Sequence, residues 1–456
     1  MGLSARKKGM YALGQFGLVL SAYGAGKLFV AFYVNRGFSD TFIFPEFISQ
    51  NYLLGLFTIA GLILALTRLV DAAVGLFSGF FSDRSRLKKG RRTGIMSLSV
   101  VPLAFFSLLV FFPPISGVSS INSIFLLVCM LLFYVFLSLY TIPYLALLSE
   151  YGNSSRDRMK ISALMACATA FASLLGDRIT WLMDLCSSRY GFSDLLSFRL
   201  ILVIYAIVSC LCMMVPAFLL NERKYTKAEP VTGSFSAAFG AVIKDSCFRP
   251  YLLADVMYRI AFAFATAGFS YYVTGLLGLP LSVTVFYLLF IFFANLVLYF
   301  PVYFIVRRIG KRKMLFIAFL MLMAFLTAAV FAGKYPVSPF IQGTILSILV
   351  AIPASVFTVL PNVIVAELAV ASEKKSGVQR GGMYFGVHSL IIKSGQMFAT
   401  LLFPTVISFG IKPTGGVNRM GLRVTLIIAA VFSFVGFLAL FGYREKEVAA
   451  LLEKKD

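Results

Sequence analysis

Apolar runs of about twenty residues alternate with short polar turns along most of the chain. The runs predict spans near residues 10–34, 52–81, 94–113, 122–149, 160–185, 198–220, 250–277, 283–306, 313–333, 340–368, 380–409 and 420–442. At about 1.5 Å of rise per residue, each can carry a helix across a hydrocarbon layer roughly 30 Å thick. The pattern therefore predicts an all-α membrane protein with about twelve transmembrane helices. No soluble core is needed, because lipid covers the apolar exterior.

The polar turns repeat. SDRSRLKKGRR around Gly90 returns as VRRIGKRK around Gly310, an offset of about 220 residues. TIPYLALLSE, ending at Glu150, is answered by TVLPNVIVAE, ending at Glu367. Arg158 and Arg380 then open the following spans with the same offset. The order predicts two pseudo-symmetric six-helix bundles, as in transporters of the major facilitator type. Residues 1–220 form the first bundle, 221–249 a cytoplasmic connector, and 250–456 the second bundle with a short cytoplasmic tail. In the connector, Phe235, Phe239 and Val242 stand at helical spacing, which predicts a short helix on the membrane surface.

Composition agrees with this class. The chain of 456 residues is 60% hydrophobic and only 13% charged, with mean hydropathy +0.90. Its net charge of +22 suggests nucleic acid until the charges are placed. Arg6, Lys7, Lys8, Arg84, Arg86, Lys88, Lys89, Arg91, Arg92, Arg156, Arg158, Lys160, Arg307, Arg308, Lys311, Arg312 and Lys313 fall on one side of the predicted spans. Lys374, Lys375, Arg444, Lys446, Lys454 and Lys455 join them, whereas the other side holds few, among them Arg36, Arg189, Lys334 and Lys412. The bias marks the basic side as cytoplasmic and places both termini there. It predicts contact with anionic headgroups and no nucleic-acid partner. The first span has no small-residue cleavage site and reads as an uncleaved helix.

Little in the sequence points to an enzyme. There is no P-loop, no paired catalytic carboxylates, and no HExxH or GxSxG on suitable elements. The six cysteines, Cys129, Cys167, Cys186, Cys210, Cys212 and Cys247, form no CxxC pair and read as small packing residues. No cofactor or metal site is expected. Asn153 heads an acceptor-like triplet, but in a cytoplasmic turn it has no meaning for glycosylation.

The candidate chemistry lies in ionisable groups within apolar spans, where each costs about 2.5–3.5 kcal/mol on insertion scales. Asp71 lies near mid-depth of the second span. Arg68, Lys393 and Lys27 are its candidate partners. A carboxylate there can hold a cation, titrate, or form a static pair. Asp255 and Arg259, at i and i+4, read as a structural pair. His388 is the only histidine and reads as a polar packing or pathway residue. Tyr144, Tyr258 and Asn295, with Gln15, Gln396 and Tyr384, are polar groups on apolar helices that can line a substrate cavity. Asp83, Arg84, Arg91, Arg92, Glu150, Arg158, Glu367 and Arg380, near the basic turns, are expected to form a cytoplasmic gate. The basic hairpins would latch onto acidic helix ends in one state and release them in the other.

Four segments carry a family resemblance: TRLVDAAVGLFSGFFSDRSRLKKGRR from Thr67, YTIPYLALLSEYGNSSRDRMKIS from Tyr140, KDSCFRPYLLADVMYRIAFAF from Lys244, and AELAVASEKKSGVQRGGMYFGVHSLIIKSGQMFAT from Ala366. In order, they resemble signatures of the glycoside–pentoside–hexuronide:cation symporters, the melibiose permease family. The resemblance implies a major facilitator fold and cation-coupled uptake by alternating access. Asp71 and Lys393 match the family pattern. The second acid expected one turn after Asp71 is Gly75, and the Asn often found before it is Val74. The acid of helix one is replaced by Val19, next to Leu18, and the arginine of helix five by Ala166.

These departures move the expectation from a melibiose-like disaccharide to a sugar derivative or an anionic or amphipathic solute. They also move the coupling ion from Na⁺ to H⁺, because one carboxylate suffices for a proton. A lysophospholipid carrier on the same scaffold is the alternative, and a non-transporting sensor or assembly factor is the alternative from another class. The expected partners are a small-molecule substrate and membrane lipid. The expected setting is a monomer in a bacterial cell membrane.

Overall fold

The computed structural model describes residues 3–34, 44–49, 52–53, 57–225, 233–408 and 419–453. Arg36, Lys412, Lys454 and Lys455, counted above in the charge pattern, lie outside the described residues. Among the described residues, 12 helices are long and apolar enough to cross a membrane. They are α1 (Ala5–Val34), α2 (Ile59–Arg84), α3 (Arg91–Leu109), α4 (Ser120–Tyr151), α5 (Ser155–Asp177) and α6 (Asp194–Leu219). Then come α7 (Phe248–Leu276), α8 (Leu281–Ile309), α9 (Lys311–Val330), α10 (Pro339–Ser376), α11 (Gly381–Ile407) and α12 (Arg419–Gly442). Shorter helices cover Ile179–Tyr190, Phe235–Ile243 and Glu445–Glu453.

Local chemistry sets the ends. Gly90 and Gly310 immediately precede α3 and α9 with φ of 147° and 88°, a region open chiefly to glycine. Ser119, Ser193 and Ser338 cap α4, α6 and α10 by accepting backbone N–H bonds. At the far end of α10, Gly377 turns left-handed with φ 69° and its N–H reaches Glu373 O at 2.7 Å.

Three boundaries differ most from the hydropathy reading. α2 begins at Ile59 rather than near residue 52, because Tyr52–Leu53 pairs with Phe57–Thr58 in a short antiparallel ladder. The fifth span stops at Asp177, where the charged pair Asp177–Arg178 interrupts the apolar run. A separate helix then starts at Ile179. α10 continues to Ser376, past the end of its apolar stretch.

The chain forms two compact units. Unit 1 comprises Met1–Asn153, Leu164–Thr232 and Gln379–Gly386; unit 2 comprises Ser154–Ala163, Gly233–Val378 and Val387–Asp456. Each unit thus takes in one helix end from the other half of the sequence.

Small residues bring helices close within each unit. In unit 1 a Cβ on Gly17 would stand 2.5 Å from Ser209 O, and Ser209 Oγ donates to Gly17 O at 2.6 Å. In unit 2 a Cβ on Gly436 would meet Phe319 at 2.7 Å. Leu98 and Val297 are each 67% exposed, as suits lipid-facing positions.

Candidate functional site

The densest polar cluster of unit 1 grows from the basic turn before α3. Gly90 turns the chain so that Arg91 and Arg92 enter α3 buried rather than solvated. Arg91 Nη2 meets Glu150 Oε1 of α4 at 2.6 Å, and Arg92 Nη2 meets the same oxygen at 2.9 Å. Arg92 Nη2 also lies 3.3 Å from Asp83 Oδ1. Arg91 further donates to Gln379 Oε1 at 2.7 Å and to Asp83 O at 3.3 Å.

Two backbone helix ends complete the cluster. Asp83 accepts from Gly382 N at 2.8 Å and Met383 N at 2.9 Å, at the start of α11. Glu222 accepts from Arg92 N and Thr93 N at 2.9 and 2.8 Å, and from Thr93 Oγ1 at 2.9 Å. A helix N-terminus exposes unpaired N–H groups and a partial positive charge, so a carboxylate is stabilised there. Three buried carboxylates therefore coexist with two arginines because two of them also sit on helix ends.

Beside Asp83 the backbones of α2 and α11 nearly touch. A Cβ on Gly79 would lie 2.2 Å from Gly382 O, and one on Gly382 would lie 2.5 Å from Gly79 O. Gly386 in turn faces Gly75 O, 3.2 Å from its would-be Cβ. Gly75 and Gly79 on one helix thus oppose Gly382 and Gly386 on the other, a small-xxx-small contact. Gly75, which replaces an expected acid, has this packing role.

Unit 2 carries a related arrangement. Lys311 Nζ pairs with Glu367 Oε2 at 2.9 Å. Glu445 accepts from Lys311 N and Arg312 N at 2.7 and 2.9 Å, capping α9 as Glu222 caps α3. Arg158, at the start of α5, is buried within electrostatic reach of Glu367 and Glu373. Burial, together with Glu367 and Glu445, holds the Tyr443 phenol well above its ordinary range, so it stays neutral. Glu222 and Glu445 are absent from the sequence-based site, although NERKY and YREKE keep the repeat offset of about 220 residues.

The mid-span residues divide between the units. Asp71 is buried in unit 1 and accepts from Ser138 Oγ of α4 at 2.7 Å. Ser78 Oγ donates to Ser138 O at 3.0 Å, tying the same stretch of α4 to α2. Arg68, on the exposed side of α2, lies over the Tyr134 ring at 5.2 Å. Lys27 is exposed and pairs with Asp177 at 3.2 Å. Tyr144 stacks on Tyr11 and donates to its carbonyl at 2.8 Å. Arg84 is exposed, with its guanidinium over Phe80 at 5.0 Å. Arg380 is half-buried, and its carbonyl accepts from Tyr384 N at 3.1 Å.

In unit 2, Lys393 is half-buried on α11. Tyr258 stacks on Phe357 and donates to Pro353 O at 3.4 Å. Asn295 is half-buried on α8, and its Oδ1 has no protein hydrogen-bond partner. His388 does not stand alone: its Nε2 lies 2.7 Å from Asp255 Oδ2. The other oxygen of Asp255 faces Arg259 Nε at 3.5 Å. The expected Asp255–Arg259 pair is therefore one arm of a three-member cluster that includes the histidine.

A family profile described as MFS/sugar transport protein matches residues 11–449. None of the curated proteins matches the sequence. Among solved structures, the chain is similar to a major facilitator superfamily transporter, FucP, in the outward conformation, with 15% identity, a TM-score of 0.67, and coverage of 95% of this chain and 98% of that one. A structure of a variant of the E. coli fucose:proton symporter is 14% identical, with the same coverage and a TM-score of 0.67. A bacterial homologue of the iron transporter ferroportin, in an outward-facing state, is 11% identical with a TM-score of 0.70, covering 96% of this chain and 98% of that chain. At these identities the structures establish the fold: this is a major facilitator fold.

Proposed function

We propose how this chain, which belongs to the MFS/sugar transport protein family, carries out its transport. It is a secondary active transporter, an integral multi-pass membrane protein. Its cargo is a small organic solute: a sugar derivative, or an anionic or amphipathic molecule. Lys393 on α11 is the residue that would receive an anionic group, with Tyr258 and Asn295 as further contacts. Transport proceeds by alternating access in a cell membrane, with both termini cytoplasmic.

The observation that carries the mechanism is Asp83 on the first amides of α11, beside Arg91, Arg92 and Glu150. These are strong charge-assisted contacts between helix ends. They are also incompletely satisfied: Arg92 Nε and Nη1 are buried without a hydrogen-bond partner. On this reading the cluster gates the cytoplasmic side, and Arg158 with Glu367 and Lys311 serves as its counterpart. Arg84 and Arg380 flank the gate.

The coupling ion is H⁺. Asp71 supplies one buried carboxylate with a serine hydroxyl on it, and a proton needs no larger set of oxygens. Sodium would need several oxygen ligands, and Gly75 and Val74 offer no side-chain oxygen. The fucose:proton relative is a proton symporter by name, in keeping with this choice.

The deciding experiment is uptake of a panel of radiolabelled sugars, sugar acids and lysophospholipids into proteoliposomes. Na⁺ and pH gradients are imposed separately at clamped potential. Accumulation of a panel member driven by the pH gradient in Na⁺-free buffer is expected. Accumulation driven only by Na⁺ would reverse the assignment of the ion, and accumulation of lysophospholipid alone would reverse that of the cargo.

A further inference from the structure

The trio of Asp255, His388 and Arg259 on α7 and α11 is not used by the gate or by Asp71. Asp255 is 0% exposed at its side chain, His388 10%, and Arg259 29%. We propose that His388, held by Asp255 and Arg259, is a second proton-binding site, and that its charge state sets how firmly α11 is held to α7. This rests on the reading of the chain as a proton-coupled transporter.

The chemistry follows from the donor inventory. A carboxylate accepts but does not donate, so His388 presents Nε2–H to Asp255 Oδ2 at 2.7 Å. The remaining ring nitrogen, Nδ1, is then the one free to take or return a proton. Binding converts a hydrogen bond from neutral imidazole to a carboxylate into an ion pair of imidazolium and carboxylate, and release reverses that. Arg259 opposes the carboxylate charge from its other side and donates to Phe357 O of α10 at 3.4 Å. The exposure gradient gives the buried carboxylate a polar edge through Arg259. Histidine is the side chain whose ordinary range falls between about pH 5 and pH 8.

The other ionisable groups around the trio do not replace it. Tyr251 and Tyr258 share α7 with Asp255. Tyr299 on α8 lies toward Tyr258, and Tyr443 beyond α12 packs on Tyr251 at 5.7 Å. Tyr384 and Lys393 flank His388 on its own helix. These are phenols and an ammonium, whose ordinary ranges lie near pH 10.

The site lies close to two other contacts of α11. Two turns beyond His388, Gly395 packs on α7 so tightly that a Cβ would stand 2.4 Å from Val256 Cγ2. α11 thus meets α7 at a tight glycine contact and at a titratable one. About 7.5 Å before His388 along the helix axis lies Met383, whose amide binds Asp83. The same short stretch of helix carries both the proton site and the latch.

The test uses the full-length protein without cysteines, in nanodiscs, with spin labels at the exposed positions Phe81 and Lys375. The distance distribution is recorded at about pH 5.5 and about pH 8.5, a range that brackets histidine titration; the proton is the only ligand. Wild-type background should shift between two populations by at least about tenfold in their ratio. His388→Gln keeps a polar side chain, and Asp255→Asn keeps the shape of the acceptor. Both should lose the shift, while His388→Arg should keep the low-pH distribution at both pH values. An unchanged shift in folded His388→Gln and Asp255→Asn would overturn the proposal, and so would no shift in the parent. Solute accumulation by the wild type, measured separately, tells the two readings apart: pH-driven accumulation without a pH-dependent shift in distance removes this site alone, and a shift in distance without pH-driven accumulation of any panel solute removes the proposed cargo and coupling instead.

Discussion

Gly79 has no room for a methyl group. Its would-be Cβ is 2.2 Å from the Gly382 carbonyl oxygen, and a backbone atom cannot rotate away as a side chain can. Overpacking of this kind costs about 1–3 kcal/mol, and here the cost falls on the contact that lets Asp83 reach the first amides of α11. Gly79→Ala is therefore expected to weaken that contact while leaving α2 helical, since alanine is the better helix former. Hydrogen exchange at Gly382 and Met383 is the check. Faster exchange of these two amides at unchanged overall helicity is the expected result, and protection equal to wild type would show that the close approach is not needed. The sequence marked Gly75 only as a missing side chain and gave Gly79 no role. That a glycine is where another backbone passes depends on tertiary distance, and one helix read alone does not contain it.

At the scale of elements, Glu150 holds two arginines of α3 with one oxygen, at 2.6 and 2.9 Å. Removing its charge leaves two buried guanidinium groups facing Asp83. Breaking a buried pair in this way costs about 3–5 kcal/mol, so Glu150→Gln should lower the melting temperature clearly and reduce transport at least tenfold. Arg91→Gln in the same background should cost less than in the wild type, because its partner is already gone. A double-mutant cycle should give a coupling of about 0.5–3 kcal/mol; strict additivity would show that the two residues do not share the interaction.

This cluster was largely legible in the sequence. Asp83, Arg91, Arg92 and Glu150 are charges at the ends of apolar runs, and an ionisable group in such a setting stands out whatever way it points. The Asp255–His388 contact was not legible. The two residues are 133 positions apart, and bringing them together requires the rotation of α7 and α11 about their axes, which hydropathy does not determine. Helix count and approximate span positions survive because length and apolarity are properties of one segment. Partnerships between helices depend on packing and so require the structure.

At the scale of the whole molecule, the repeat seen in the basic turns extends to the caps. Glu222 binds the first amides of α3 and Glu445 those of α9. Each follows the last span of its own half, so the end of its sixth helix is tied to the start of its third. Glu222 lies in unit 1 and Glu445 in unit 2. A charged cap is worth about 0.5–2 kcal/mol, with charge-assisted bonds at the strong end. Glu222→Gln and Glu445→Gln should each lower the thermal midpoint of the purified protein. Their partners are separate, so the double variant should lose the sum of the two effects within about 0.5 kcal/mol. The contrast is Asp83→Asn with Arg92→Gln, two residues of one cluster, for which the same measurement should fall short of the sum. Non-additivity between the two caps, at a size matching that of Asp83 with Arg92, would mean that the halves do not stabilise themselves independently. Additivity is the expected result, because each cap binds amides of its own half of the sequence.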